Sequence, residues 1–325
     1  MRRREFITLL GGTAAVWPIA VRAQQPTMPV IGFLRSTPLN VSKSLVAAFR
    51  QGLKESSFNE GQNVTVEFRF ADNQIDRLPG LVDELVRHPV NVIVTNVLGA
   101  LAAKNTTTVV PIVFVTGSDP VKDGLVASLN RPGGNITGVS FVAGALGAKR
   151  LEILRQLTPN AKTIAMLVQL DADESVLEQR QVQAAARATG QQLIVFDVNN
   201  AADIESAFAT MTTRGVGALY VGTGPFTNSH REQLTELAAR TAIPAMYSLR
   251  EYVAVGGLMS YGASITDAYR QAGIYAARII RGEKPADLPV MQSTKFDFVI
   301  NLKAAKALGL AVPPSLIALA DEVVE

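Results

Sequence analysis

Few residues of this chain could carry chemistry, and the loop Thr116-Gly117-Ser118-Asp119-Pro120 is the first to weigh. It follows the apolar run 112–115, so a small polar turn leaves the end of a buried strand, with a helix expected to start at the proline. A nucleophilic serine on such a turn needs Gly-x-Ser-x-Gly and a histidine base. Here the second glycine is missing, and His88 and His230 are the chain's two histidines. His230 opens a helix in Asn228-Ser229-His230-Arg231-Glu232 as a solvated first-turn residue, with no acid organised behind it. His88 ends a helix before Pro89, where the helix dipole favours it. A catalytic Ser118–His230 pair is not expected.

Other chemistries are excluded by residue type. The chain has no cysteine, which removes disulfides, thiolate metal sites and cysteine nucleophiles. Neither Gly-x-x-x-x-Gly-Lys nor a Gly-x-Gly-x-x-Gly after the first strand is present, and Gly222-Thr223-Gly224-Pro225 reads as a tight, backbone-rich turn. Asp171 and Asp173 lack the companion oxygens of a calcium loop and are expected to cap the following helix. No cofactor, metal or catalytic residue is therefore expected. The net charge of +3 resides in Arg2, Arg3, Arg4 and Arg22 against Glu5, which leaves the rest neutral and without an electrostatic footprint for nucleic acid.

The elements that would position a site follow an alternating order. Strands are expected over 30–34, 64–70, 91–95 and 112–115, with helices over 42–56, 77–87 and about 99–104. Pro132-Gly133-Gly134-Asn135 breaks this series, and 136–141 is its last strand. A second series has helices over 149–157, 174–189, 203–213 and 228–241, and strands over 163–168, 192–198, 218–221 and 244–247. The remaining strand 257–261, helix 265–281 and strand 295–301 are too few for a third domain. They are expected to complete both halves, so that the chain crosses between them more than once and forms a hinge. The fold class is thus α/β, with two Rossmann-like lobes of parallel sheet. The expected division is 24–141 plus 258–285 for the N-terminal lobe and 142–257 plus 286–325 for the C-terminal lobe.

Small polar residues fall at the carboxyl ends of strands in both halves, where open α/β sheets bind ligands. They are Ser36, Thr37, Thr95, Asn96, Thr116, Gly117, Ser118 and Asp119 in the first, and Gln169, Thr223, Gly224 and Tyr247 in the second. Spare amides at helix N-termini there would suit a carboxylate.

The opening MRRREFITLLGGTAAVWPIAVRA combines a basic start, an apolar middle and Val21-Arg22-Ala23 as a cleavage site. It is interrupted by Gly11-Gly12 and Pro18 and is short for a spanning helix. Its Arg3-Arg4-Glu5-Phe6-Ile7 resembles the twin-arginine export pattern. Residues 1–23 are read as an export signal cleaved near Ala23, which places the mature protein in the periplasm.

Longer segments carry a family resemblance. They include Phe58-Asn59-Glu60-Gly61-Gln62-Asn63-Val64, Gly117-Ser118-Asp119-Pro120-Val121 and Gly124-Leu125-Val126-Ala127-Ser128-Leu129. Arg131-Pro132-Gly133-Gly134-Asn135-Ile136-Thr137-Gly138, Gly256-Gly257-Leu258-Met259-Ser260-Tyr261-Gly262 and Asn301-Leu302-Lys303-Ala304-Ala305 continue the series. Together they resemble ABC-transporter substrate-binding proteins of the tryptophan/tyrosine-binding type, over essentially the whole mature chain. The resemblance implies a type I periplasmic binding protein fold and no catalysis. It implies capture of a small organic solute by hinge closure, with an ABC permease and its ATPase subunit as partners of a monomeric receptor. Some relatives take aromatic amino acids, which makes such a solute, or a related carboxylate, the expected one. Where many relatives carry a Gly-Thr-x-Ala-Ala turn after the third strand, this chain has Thr95-Asn96-Val97-Leu98-Gly99-Ala100. Tyr247, Tyr261 and Phe226 are the aromatics expected near a stacked solute, and Phe33 is expected in the core. The alternatives are a ligand sensor of the same fold and an exported enzyme on two α/β lobes.

Overall fold

A computed structural model of the protein describes residues 28–88, 90–141, 146–170 and 173–325. The export signal with its Ala23 cleavage site, and the capping role given to Asp171 and Asp173, lie outside what is described.

The first half runs β1 (Val30–Arg35), α1 (Leu39–Glu55), β2 (Thr65–Phe70), α2 (Leu78–Arg87), β3 (Val92–Asn96), α3 (Val97–Thr106), β4 (Ile112–Thr116) and β5 (Ile136–Phe141). The centre of β1 and all of β4 are buried, as continuous apolar runs covered on both faces must be. The second half runs α4 (Gly147–Leu157), β6 (Thr163–Val168), α5 (Asp173–Ala188), β7 (Gln192–Asp197), α6 (Ala201–Thr213) and β8 (Ala218–Val221). It continues through α7 (Pro225–Ser229), α8 (Arg231–Arg240), β9 (Ala245–Tyr247) and α9 (Arg250–Ala254). The last part holds β10 (Met259–Ala263), α10 (Ile265–Ile280), β11 (Met291–Ser293), β12 (Phe296–Asn301), α11 (Leu302–Ala307), α12 (Pro314–Leu319) and β13 (Glu322–Val324).

These strands form two sheets. One has the order β11-β5-β4-β3-β1-β2 and is parallel throughout. The other has the order β13-β12-β10-β9-β8-β6-β7 and is parallel except where β12 runs against β10. Helices cover both faces, and each sheet has separate cores on its two sides.

The division of the last part differs from the one expected. β10 pairs with β9 in the second sheet, whereas β11 pairs with β5 in the first. Of residues 258–285 it is α10 that joins the first lobe, because its apolar stripe of Ala268, Tyr269, Ala272 and Ala276 packs into that core. β11 lies beyond the expected boundary at 285 and returns to the first lobe as an edge strand. The chain therefore passes between the sheets three times: between Phe141 and Gly147, at Ser264, and between Ser293 and Phe296. Two of these crossovers touch, since the Ser264 amide donates to the Lys295 carbonyl oxygen at 2.9 Å.

Two further expectations change. No helix starts at Pro120: residues 120–124 form a turn, and Asp119 Oδ1 accepts from the Val121 and Lys122 amides at 2.9 and 3.3 Å. The single helix expected over 228–241 is two, α7 and α8, meeting at His230. His230 is half-buried rather than solvated, with its ring 4.2 Å from that of Phe226 and its Nδ1 2.9 Å from the Phe226 carbonyl oxygen.

Helices α1 and α10 approach through two glycines. A Cβ on Gly52 would lie 1.9 Å from the Arg270 carbonyl oxygen, and one on Gly273 would lie 2.4 Å from that of Phe49. Backbone, not a movable side chain, meets the added methyl. Gly52→Ala is therefore expected to destabilise the first lobe by about 1–3 kcal/mol through overpacking, despite alanine's better helix propensity. Urea denaturation followed by circular dichroism reads that loss, and an unchanged midpoint would show that the helices can separate at no cost.

Candidate functional site

In the first sheet β1 lies between β2 and β3, so the chain reverses its direction of travel there. Ligands of open α/β sheets bind outside the strand ends at such a point. A cavity of about 270 Å³ opens there and is shared by the two lobes. The first lobe lines it with Arg35, Thr37, Val41, Leu45, Asn96, Val97, Val115, Thr116, Gly117 and Phe141. The second contributes Asn228, Arg231, Leu249, Glu251 and Tyr252, and α10 adds Ile265 and Tyr269. The volume falls just short of the roughly 300–1,000 Å³ typical of drug-sized ligands, which is room for a solute of amino-acid size.

The polar groups of the first wall are braced. Asn96, at the end of β3, accepts from the Ser36 amide at 3.3 Å and donates to the Ser36 hydroxyl at 2.8 Å. Arg35, at the end of β1, donates to the Tyr269 hydroxyl and, at 3.1 Å, to that of Thr37. Its guanidinium carbon also lies 5.1 Å from the Tyr269 ring centroid. Burial raises the Tyr269 phenol pKa while Arg35 opposes the rise, so the hydroxyl stays protonated and accepts through its lone pairs. Arg35 Nε is buried with no partner, an orphan donor in the wall of an apolar cavity.

Backbone space shapes the same wall. A Cβ on Gly117 would lie 2.6 Å from Phe141 Cε2, so the glycine allows that ring to pack closely against the loop. Val41, Leu45, Val97, Val115 and Phe141 form the apolar side, faced by Leu249 and Tyr252. Tyr252 stacks on Tyr247 with centroids 4.5 Å apart and planes 15° from parallel, and donates to Asn228 Oδ1 at 3.2 Å. Burial pushes both phenols up, so neither ionises near neutrality.

The structure brings together four of the residues placed at the site from strand ends: Thr37, Asn96, Thr116 and Gly117 line the cavity. Ser36 and Thr95 sit beneath it, Ser36 as the partner of Asn96 and Thr95 fully buried against α3. The others lie outside the lining. Ser118 donates to the Asp123 carboxylate, and Asp119 caps its own turn. Thr223 gives its amide to Glu178 and its hydroxyl accepts from Arg150. Gly224 starts α7, Gln169 follows β6, and Tyr247 is buried behind Tyr252. Of the other aromatics, Phe226 packs on His230, Tyr261 on Phe296 and Phe298, and Phe33 lies in the first core. Arg35, Asn228, Arg231, Glu251, Tyr252 and Tyr269 were not anticipated. The available signal was charge in the first turns of the helices on either side of β9, at Arg231 and Arg250-Glu251.

No group of three His, Asp or Glu side chains that could hold a metal ion occurs among the described residues. Nor is any described helix long and apolar enough to cross a membrane.

A sequence model of the family "ABC transporter substrate binding protein" matches residues 40–324. The chain belongs to that family. It is accordingly a binding protein and not an enzyme. Proteins of this family are extracytoplasmic, with a small-molecule solute and an ABC transporter as partners. A tyrosine-binding protein of Clostridioides difficile is 26% identical over 263 residues, covering 81% of this chain and 75% of the relative. The crystal structure of an ABC domain in complex with L-Trp from Streptococcus pneumoniae superimposes with a TM-score of 0.77 at 27% identity, covering 91% of this chain and 99% of the other. A ligand-free, open substrate-binding protein from Clostridium difficile, at 24% identity, shares the fold with a TM-score of 0.71 over 91% of this chain and 99% of its own. With its two sheets and three crossovers, this ABC transporter substrate-binding protein has the two-lobed type I periplasmic binding fold.

Proposed function

We propose that this protein is the periplasmic receptor of an ABC importer and that its solute is an aromatic amino acid or a closely related carboxylate. The carrying observation is the cavity itself, an apolar enclosure of amino-acid size lined by the half-buried Arg35, whose Nε has no partner. A guanidinium presents a rigid fork matched to a carboxylate, and the apolar surface accepts a ring. The tryptophan and tyrosine named for two relatives support that class. Because both lobes line the cavity, a solute that contacts both favours the state in which they meet, and closure follows as a population shift. The three crossovers act as the hinge, the export signal is removed near Ala23, and the monomer hands its solute to the permease.

Isothermal titration with L-tryptophan and L-tyrosine, together with mass spectrometry of solute released from protein purified in its native host, tests this reading. The expected result is saturable binding of at least one of them and recovery of an aromatic carboxylate. Heatless titrations with both, and recovery of an uncharged solute such as a sugar, would overturn it.

A further inference from the structure

Glu251 is the one acidic side chain lining the cavity among the described residues. It stands in the first turn of α9, half-buried, and burial holds its carboxyl above the usual carboxylate range. Arg250 and Arg231 favour its ionised form, and Asp297 of β12 opposes it. Neither arginine pairs with it: Arg250 bonds to Glu322, and Arg231 donates to the Asn228 carbonyl oxygen at 3.0 Å. Its carboxylate makes no ion pair and accepts no hydrogen bond from another residue among the described residues. A carboxylate withdrawn from water in this way costs free energy until a cationic donor meets it.

On the opposite lobe the cavity offers the reverse charge at Arg35, whose Nε lacks a partner. An α-amino acid carries an anion and a cation on the same carbon. We propose that Glu251 receives the ammonium group of the solute while Arg35 receives its carboxylate, so that the cleft selects α-amino acids over the same acids lacking the amine. The two charges then sit on different lobes, and only a zwitterion satisfies both at once. The inference rests on the aromatic-solute reading above and narrows it.

Titration of the wild type and of Glu251→Gln with L-tryptophan and with 3-(indol-3-yl)propanoate, its analogue without the ammonium, decides the matter. A hydrogen bond to a charged group is worth enough that the wild type should prefer L-tryptophan by about 10- to 100-fold, and Glu251→Gln should lose about that factor. The variant should bind the propanoate at least as tightly as the wild type does, since losing the Glu251 charge removes a like-charge repulsion from an anion in the same cavity. That retained binding also reports a folded cleft. Equal wild-type affinities, a preference for the propanoate, or a variant that keeps the preference would each overturn the role of Glu251 and leave the aromatic carboxylate reading intact. Binding of neither compound by the wild type would overturn both together.

Discussion

Glu178→Ala is expected to destabilise the second lobe by about 3–5 kcal/mol, the cost of stripping one partner from a buried ion pair. Glu178 and Arg150 are each 1% exposed and bond to each other between neighbouring helices, α5 and α4. The carboxylate also accepts from the Tyr220 hydroxyl at 2.6 Å and from the Thr223 amide at 2.8 Å. Arg150 in turn donates to the Thr223 hydroxyl at 3.0 Å, and its guanidinium lies 5.7 Å from the Tyr220 ring centroid. Burial first, with Glu178 beside it and Arg150 opposing, drives the Tyr220 phenol well above its ordinary range, so it remains a donor. Alanine at 178 would leave a guanidinium buried against a phenol with its carboxylate gone. The pair Arg150→Met with Glu178→Leu should recover much of the loss, because well-packed apolar replacements of a buried ion pair are often neutral or better. Urea unfolding of the wild type and the two variants checks both statements. A single-variant loss below about 1 kcal/mol, the range of exposed pairs, would show that water reaches this cluster.

Arg35→Ala is expected to abolish tight solute binding, with an affinity loss of about 30-fold or more, as when one member of a desolvated charge pair is removed. Arg35→Lys should recover little of it. A point charge cannot hold Tyr269 and Thr37 while also presenting a planar fork to a carboxylate. The stability change should be small by comparison, since Arg35 is half-buried and makes no ion pair among the described residues. Isothermal titration beside thermal unfolding separates the two effects. Wild-type affinity in Arg35→Ala would move the carboxylate site elsewhere in the cleft.

The candidate site was legible from the sequence to the depth of the backbone. The apolar run before Thr116 and the strand ends at Ser36 and Asn96 place the cleft, because strand boundaries follow from local periodicity. Which side chains enter it is another matter. Tyr247 ends its strand where a stacking residue was expected, yet it faces the core, and its neighbour Tyr252 reaches the cavity instead. Thr223 follows β8 as anticipated, but the distant pair Arg150–Glu178 occupies its polar groups. Such outcomes depend on helices far apart in the chain, and no spacing rule records them.

By itself the sequence determined the alternation of strands and helices, the two-lobed α/β class and the need for repeated crossing between lobes. Each of these rests on local period and chain order. The tertiary structure alone decided that β10 and β11 belong to opposite sheets, since a three-residue strand such as Met291–Ser293 carries no period of its own. It also decided that Arg35 and Glu251 line one cavity from different lobes. Charges 216 positions apart reach one cavity only when the crossovers set one lobe over the other, and no local period records that placement.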